Sequence, residues 1–303
     1  MFSIQFVETA TVLFSLILGV YVLKISPSCD LNRRFFILCA LIALWIGCFL
    51  VRDLLPIEIR PFAFDWMLLP SIFIPSTLNS IIRELKGKKG DLPLLQRVGS
   101  LAHAILLSYF VYCSCFCKFS ILIDSKNFYY RSTFNYHLLL IYATAVLGFC
   151  IVTLGNLIRV SNGSTRVRMI LLLSGITVSL LFALVFIYFL PLIQIFHTNL
   201  VSVGTIISLC LWAIAILQYD AFEIKDQLLM GQKIPFLVRV SLPAVLLLYH
   251  LADPNDYTEK ILDIRSQIAS SLIEFNYELV TRTSLEGDEK SRVIAEQFGR
   301  YFK

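Results

Sequence analysis

Five residues carry the groups best suited to binding a molecule: Glu8, Asp65, Trp66, Gln194 and His197. Each lies in or beside a long apolar stretch, where a charged or strongly polar group is expensive and therefore a functional candidate. All five fall at one end of their stretches. They are expected to line a ligand pocket, apolar with a few convergent polar groups. The competing reading is structural. Groups near helix ends reach interfacial water, and His103 or Asn156 can bond across helices for about 0.6 kcal/mol. Catalysis has less to stand on. His103, His137, His197 and His250 are scattered one per segment. No nucleophile sits with a base, and no His-Glu-x-x-His occurs. The expectation is no enzyme, no metal and no cofactor. The chain has 8 cysteines, most of them inside apolar stretches, as small buried residues. Cys113 and Cys117 would share one helical face, read as plain packing in preference to a two-thiolate metal site.

The elements that position these residues are seven apolar stretches: 6–23, 35–51, 66–82, 98–117, 138–157, 169–196 and 201–217. A helix needs roughly 20 apolar residues to cross a bilayer. Inside hydrocarbon the backbone must bond within its own segment, so such runs are helices. The composition agrees, with 57% hydrophobic and 16% charged residues and a mean hydropathy of +0.77. A soluble domain with that surface would aggregate. The expected fold is an all-α membrane protein. A seven-transmembrane-helix bundle fills residues 1–226, an interfacial apolar segment 227–252, and a short cytoplasmic helical tail 253–303. No cleavable signal peptide is evident, and no internal repeat stands out.

Charge sets the orientation. Eleven Lys or Arg follow the first, third and fifth helices, against five on the alternate connections. By the positive-inside rule, the first terminus lies outside and the tail lies in the cytoplasm. No Lys/Arg run is interleaved with stacking aromatics, so nucleic acid is not an expected partner.

Several local readings follow. Pro70 and Pro75 should kink the third helix. The loop 120–136, with Phe128, Tyr129, Tyr130, Phe134 and Tyr136, is read as an interfacial aromatic belt in preference to a ligand contact. Segment 234–252 is read as interfacial or re-entrant rather than an eighth span, because Pro235 and Pro243 interrupt it. Asp253-Pro254-Asn255-Asp256 starts a tail helix. Ile261, Ile264, Ile268, Leu272, Phe275 and Leu279 then form one apolar face. Glu286-Gly287-Asp288 ends it, and a second short helix carries Val293, Ile294, Phe298 and Tyr301. The tail either folds back as a helical hairpin or forms a coupling or dimerisation helix.

Certain residues carry a family resemblance. Asn32-Arg33-Arg34-Phe35 opens the second helix, which contains Trp45-Ile46-Gly47. Asp65-Trp66 opens the third, which contains Pro70 and Pro75. The seventh leaves through Ala215-Ile216-Leu217-Gln218-Tyr219-Asp220-Ala221-Phe222-Glu223-Ile224. In order and placement these resemble the seven-helix N-terminal sensor region of bacterial histidine kinases, over about residues 6–226. Two departures stand out. The family is often basic where this chain has Gln218 and Asp220. No histidine sits in a phospho-accepting context, and Gly287 is the single glycine between Gly231 and Gly299, so no phosphate-cradling loop is expected. The resemblance implies a receptor half without a kinase output. A stimulus would shift helix packing, and the seventh helix would pass the shift through Tyr219 and Phe222 to Ile261, Ile268 and Phe275. The expected partners are the lipid bilayer, a cytoplasmic signalling protein and a second copy of the chain. A small-molecule transporter or channel, or a structural assembly protein, is the alternative.

Overall fold

The computed structural model describes residues 2–25, 29–86, 94–124, 129–195, 200–217 and 236–282, with 289, 291–293 and 295. Tyr219, Phe222, Pro235, the 286–288 break, Ile294, Phe298 and Tyr301 lie outside the described residues. By internal contacts the chain divides into two units. The first is Met1–Leu157 with Met169–Leu217, and the second is Ile158–Arg168 with Gln218–Lys303.

In the first unit, α1 (Phe2–Ile25) and α2 (Asp30–Leu54) pack along each other. Their backbones approach closely because Gly19 has no side chain: a Cβ there would stand 2.8 Å from the Cys39 Cβ. Small residues serve helix contacts in this way. Ser15 Oγ donates to the Cys39 carbonyl at 2.7 Å, and Asn32 Nδ2 donates to that of Val22 at 3.2 Å.

Next come α3 (Arg60–Trp66) and α4 (Leu68–Leu85), separated at Met67. The two prolines expected to kink the third helix both fall within α4. Pro70 falls in the first turn of α4, where its missing N–H is tolerated, and Pro75 lies inside a continuous helix. Helix α5 (Leu94–Cys115) stops short of the expected end. Cys117 adopts φ 53°. Lys118 N donates to the Cys113 carbonyl at 2.9 Å and Cys117 N to that of Ser114 at 3.3 Å, the two bonds of a Schellman cap. Cys113 and Cys117 therefore share no helical face.

The supposed loop is partly sheet. Strands β1 (Ser120–Asp124) and β2 (Tyr129–Ser132) pair antiparallel, with Ser120 opposite Ser132 and Ile121 opposite Arg131. Tyr130 and Tyr136 are buried with Phe64, Phe110 and Phe119. They are core residues and not an interfacial belt, whereas Phe134 is 78% exposed.

Helix α6 (Phe134–Val160) is followed by α7 (Gly163–Ala183), a π-helix (Leu184–Phe189) and α8 (Leu190–Leu192). The sixth stretch is thus not one uniform helix. Helix α9 (Val201–Leu217) packs against α1. Its Trp212 indole lies against Gly175 of α7, and its Gly204 lies against Phe182. His103 of α5 bonds across helices to Ser76 Oγ (3.1 Å) and reaches the Tyr142 hydroxyl. Among the described residues, four stretches are long and apolar enough to cross a membrane: Gln5–Ile25, Asp30–Arg52, Phe134–Val160 and Gly163–Leu192. Gly99–Cys115, Val201–Leu217 and Arg239–Ala252 are shorter apolar helices.

The second unit contains α10 (Phe236–Ala252) and α11 (Pro254–Arg282). Pro243 lies inside α10, so it does not interrupt the helix as expected. Asp253 caps α11: its Oδ1 accepts from Asp256 N at 3.4 Å, and Pro254 takes the first helical position, where proline is favoured. The other oxygen, Oδ2, accepts from Gly163 N at 3.0 Å. Residues 158–168, which run from the end of α6 into the start of α7, thereby bond to the corner between α10 and α11. Gly163 has φ +60°. Beside it, the buried Tyr249 donates its O–H to the Asp256 carboxylate. The bond from Gly163 is the main reason the Asp253 carboxyl is held below its ordinary range. On α11, Ile261, Ile264, Leu272 and Phe275 are half-buried and Leu279 is buried. Leu262, Ile273, Tyr277 and Val280 are exposed, and the Ile268 side chain lies outside the described ones.

A cleft built on the hairpin

The hairpin is anchored by Asp65. Its Oδ2 accepts from Phe119 N at 2.8 Å, and its Oδ1 accepts from Ser120 Oγ at 2.6 Å. Ser114 Oγ donates to the Asp65 carbonyl at 2.8 Å. Burial pushes the Asp65 carboxyl above its ordinary range, and the bonds from Ser120 and Phe119 pull it part of the way back. Thr133 closes the hairpin from the other side: its N and Oγ1 both donate to the Phe119 carbonyl, at 3.0 and 2.7 Å. Helix α6 starts at the next residue.

Opposite the hairpin stands the end of the sixth stretch. An α-helical turn would have residue 191 donate to the Ile187 carbonyl, but residue 191 is proline and has no N–H. The turn widens to a π-helix there, and the Tyr136 hydroxyl donates to the Ile187 carbonyl at 3.3 Å. A part-buried carbonyl that Pro191 cannot serve thus accepts from a neighbouring helix. Beyond Pro191 the chain stops on a second Schellman cap. Gln194 N donates to the Pro191 carbonyl at 3.1 Å and Ile195 N to that of Leu190 at 2.9 Å, with Gln194 at φ 63°.

Between hairpin and cap lies a half-open cavity of about 700 Å³, lined by Ile123, Tyr130, Arg131, Ser132, His137, Pro191, Leu192 and Gln194. This volume is typical of small-molecule sites. The His137 ring is held edge-on to Tyr188 of the π-helix, with centroids 5.8 Å apart. Tyr130 rests on Phe64 at 4.4 Å and reaches Tyr136 Oη at 3.5 Å. The floor is therefore fixed by packing, while Arg131, Ser132, His137 and Gln194 present polar atoms.

The expected ligand-binding residues are distributed unequally. Gln194 lines the cavity. Asp65 and Trp66 do not: Asp65 is the hairpin anchor, and the half-exposed Trp66 donates Nε1 to the Cys115 carbonyl at 3.4 Å. Glu8 is buried on α1, 2% exposed, in the part of the bundle formed with α2 and α9. His197 lies outside the described residues. Arg131, His137 and Pro191 line the cavity and were not among the expected residues. Pro191 inside a supposedly uniform apolar run was the available signal, since it demands a partner for the carbonyl four residues earlier.

Fold and site thus define a multi-pass helical membrane protein with a small-molecule-sized cleft at one end of its first unit. A family model described as the N-terminal 7TM region of histidine kinase matches residues 9–225, and the chain belongs to that family. No curated protein and no solved structure matches it.

Proposed function

We propose that the chain is the sensory, membrane-embedded part of a signalling system in the cytoplasmic membrane. In this reading seven helices span the bilayer, with the amino terminus outside and the tail in the cytoplasm. The half-buried α10 lies along the inner leaflet, and a separate cytoplasmic protein reads the tail. The chain carries out no catalysis itself.

Membership of the sensor-region family is the observation that carries this reading. The excess of Lys and Arg after the first, third and fifth helices supports the orientation. The cleft supports a chemical stimulus. For output, the seventh helix leads through Tyr219 and Phe222 toward Ile261, Ile268 and Phe275. The Gly163–Asp253 bond offers a second connection, since it ties the α6–α7 loop directly to the start of the tail helix. A stimulus shifts the bundle only through different affinities for its two arrangements.

Two experiments test this. A fluorescent protein fused after Lys303 should fold and fluoresce, while alkaline phosphatase at the same point should be inactive. The reverse pair of results overturns the orientation. Producing the full chain should change the host transcript profile, and a chain truncated after residue 255 should not. Identical profiles overturn the tail as the output.

A further inference from the structure

We infer that the cleft takes a molecule with one anionic head and a compact apolar body, the head held by Arg131 and the body by Ile123, Pro191 and Leu192. This rests on the sensory reading and deepens it by naming the ligand class. Charge decides the head. Among the described lining residues one carries a permanent charge, the Arg131 guanidinium, and none is acidic. Among the described residues Arg131 has no ion-pair partner. A guanidinium keeps its charge at any physiological pH and presents a planar fork that matches carboxylate or phosphate oxygens. Ser132 and Gln194 add neutral donors beside it, and His137 adds a ring nitrogen. A cationic ligand would find no counter-charge on these walls.

Geometry decides the body. Ile123, Pro191 and Leu192 form an apolar wall that a free inorganic anion would leave unused. Arg131 is placed by the β1–β2 register, opposite Ile121, and that register is pinned by Asp65 and Thr133. Pro191 and Leu192 are placed by the π-helix and the left-handed cap at Gln194. The hairpin thus presents Ile123 beside Arg131 and Ser132, and the cap presents Pro191 and Leu192 beside Gln194, so each of two separately fixed elements offers both polar and apolar surface to a molecule seated between them. Two sources supply such a molecule. One is a soluble organic acid. The other is the headgroup of an anionic lipid, because the cleft opens where the apolar run Gly163–Leu192 ends.

The test uses the full chain in nanodiscs of phosphatidylcholine, titrated calorimetrically with benzoate, phenylacetate and hexanoate, and with benzamide and phenylacetamide as uncharged counterparts. The acids should bind saturably and roughly tenfold more tightly than the amides, the size expected of one charge-assisted contact at an exposed guanidinium. Arg131→Gln should abolish that preference, and Arg131→Lys should keep part of it. Leu192→Ser should weaken acids and amides alike. Because Arg131 is exposed, its replacement should leave the melting temperature unchanged. Native mass spectrometry of chain purified from mixed nanodiscs supplies the lipid arm. Retention of phosphatidylglycerol that is lost in Arg131→Gln identifies a headgroup as the occupant, and acid binding without such retention identifies a soluble acid. Absence of both, or an acid preference that survives Arg131→Gln, overturns the inference. Acid binding that leaves the transcript profile unmoved would instead overturn the sensing role. A tail-dependent profile with no binding overturns the cleft alone.

Discussion

Replacing Gly163 by alanine should loosen the corner where the α6–α7 loop meets the tail helix. Gly163 has φ +60°, and the left-handed region costs a residue with a Cβ about 1 kcal/mol. The added carbon would stand 2.7 Å from Tyr249 Oη and 2.8 Å from Asp256 Oδ2, well inside van der Waals contact. Tyr249 is 0% exposed, so its ring has little room to swing away. Overpacking of this kind costs about 1–3 kcal/mol. The sum is about 2–4 kcal/mol. At about 1.4 kcal/mol per factor of ten, the open population of the corner should rise roughly thirty- to several-hundred-fold. Hydrogen–deuterium exchange of the full chain in nanodiscs reads this directly. Peptides covering 158–168 and 249–260 should exchange faster by that factor, while α1 and α2 stay as they were. Adding Tyr249→Phe removes the nearest oxygen and should recover part of the loss, giving a non-additive double mutant. Wild-type exchange rates in Gly163→Ala would show that neither the left-handed backbone nor the tight contact limits this corner.

Three further outcomes follow from the geometry. Asp65→Ala leaves Phe119 N–H and Ser120 O–H without their acceptor, at about 2–4 kcal/mol. The detergent-solubilised chain should melt roughly 5–10 °C lower, with early exchange at 119–132. Tyr136→Phe strands the Ile187 carbonyl and should cost about 1–2 kcal/mol by thermal unfolding; Pro191→Ala restores an N–H to that carbonyl, so the double variant should regain most of the loss. Asp253 has a lowered carboxyl, so its contribution is present above the ordinary value of 3.8 and lost as pH falls below it. Exchange at Gly163 should accelerate in that acid range in the native chain, and in Asp253→Asn it should be fast and lose this dependence.

Much of the helical frame was legible because lipid imposes a simple rule: a long apolar run must be a helix. The start of α11 was readable from Asp253-Pro254, whereas α2 begins at Asp30, just before the Asn32-Arg33-Arg34-Phe35 entry. What escaped was the end of the bundle where runs stop and polar atoms converge. The hairpin hid because Tyr130 and Tyr136 look like interfacial anchors, and only the Asp65 bonds to residues more than fifty positions away turn that segment inward. Asp65 itself was correctly noticed as costly, but the cost is met by Phe119 and Ser120. Cys117 and Gln194 hold left-handed caps that usually fall to glycine, so no local signal marked either stop. The linkage of residues 158–168 to the tail depends on one backbone N–H, which no pattern of side chains announces.

The π-helix at Leu184–Phe189 has a bearing on how related chains are compared. A wider turn spends one more residue than the ordinary coil, so everything after it is out of phase by one position. In an α-helix one position is about 100° of rotation and about 1.5 Å of rise. A helical wheel drawn from Gly163 onward therefore assigns Leu192 and its neighbours to the wrong side. In a relative lacking proline at the position of Pro191, deletion of one nearby residue would restore the phase and leave the same groups facing the hairpin. Gapped alignments at this spot should accordingly be judged by which residues reach Arg131, not by uninterrupted numbering.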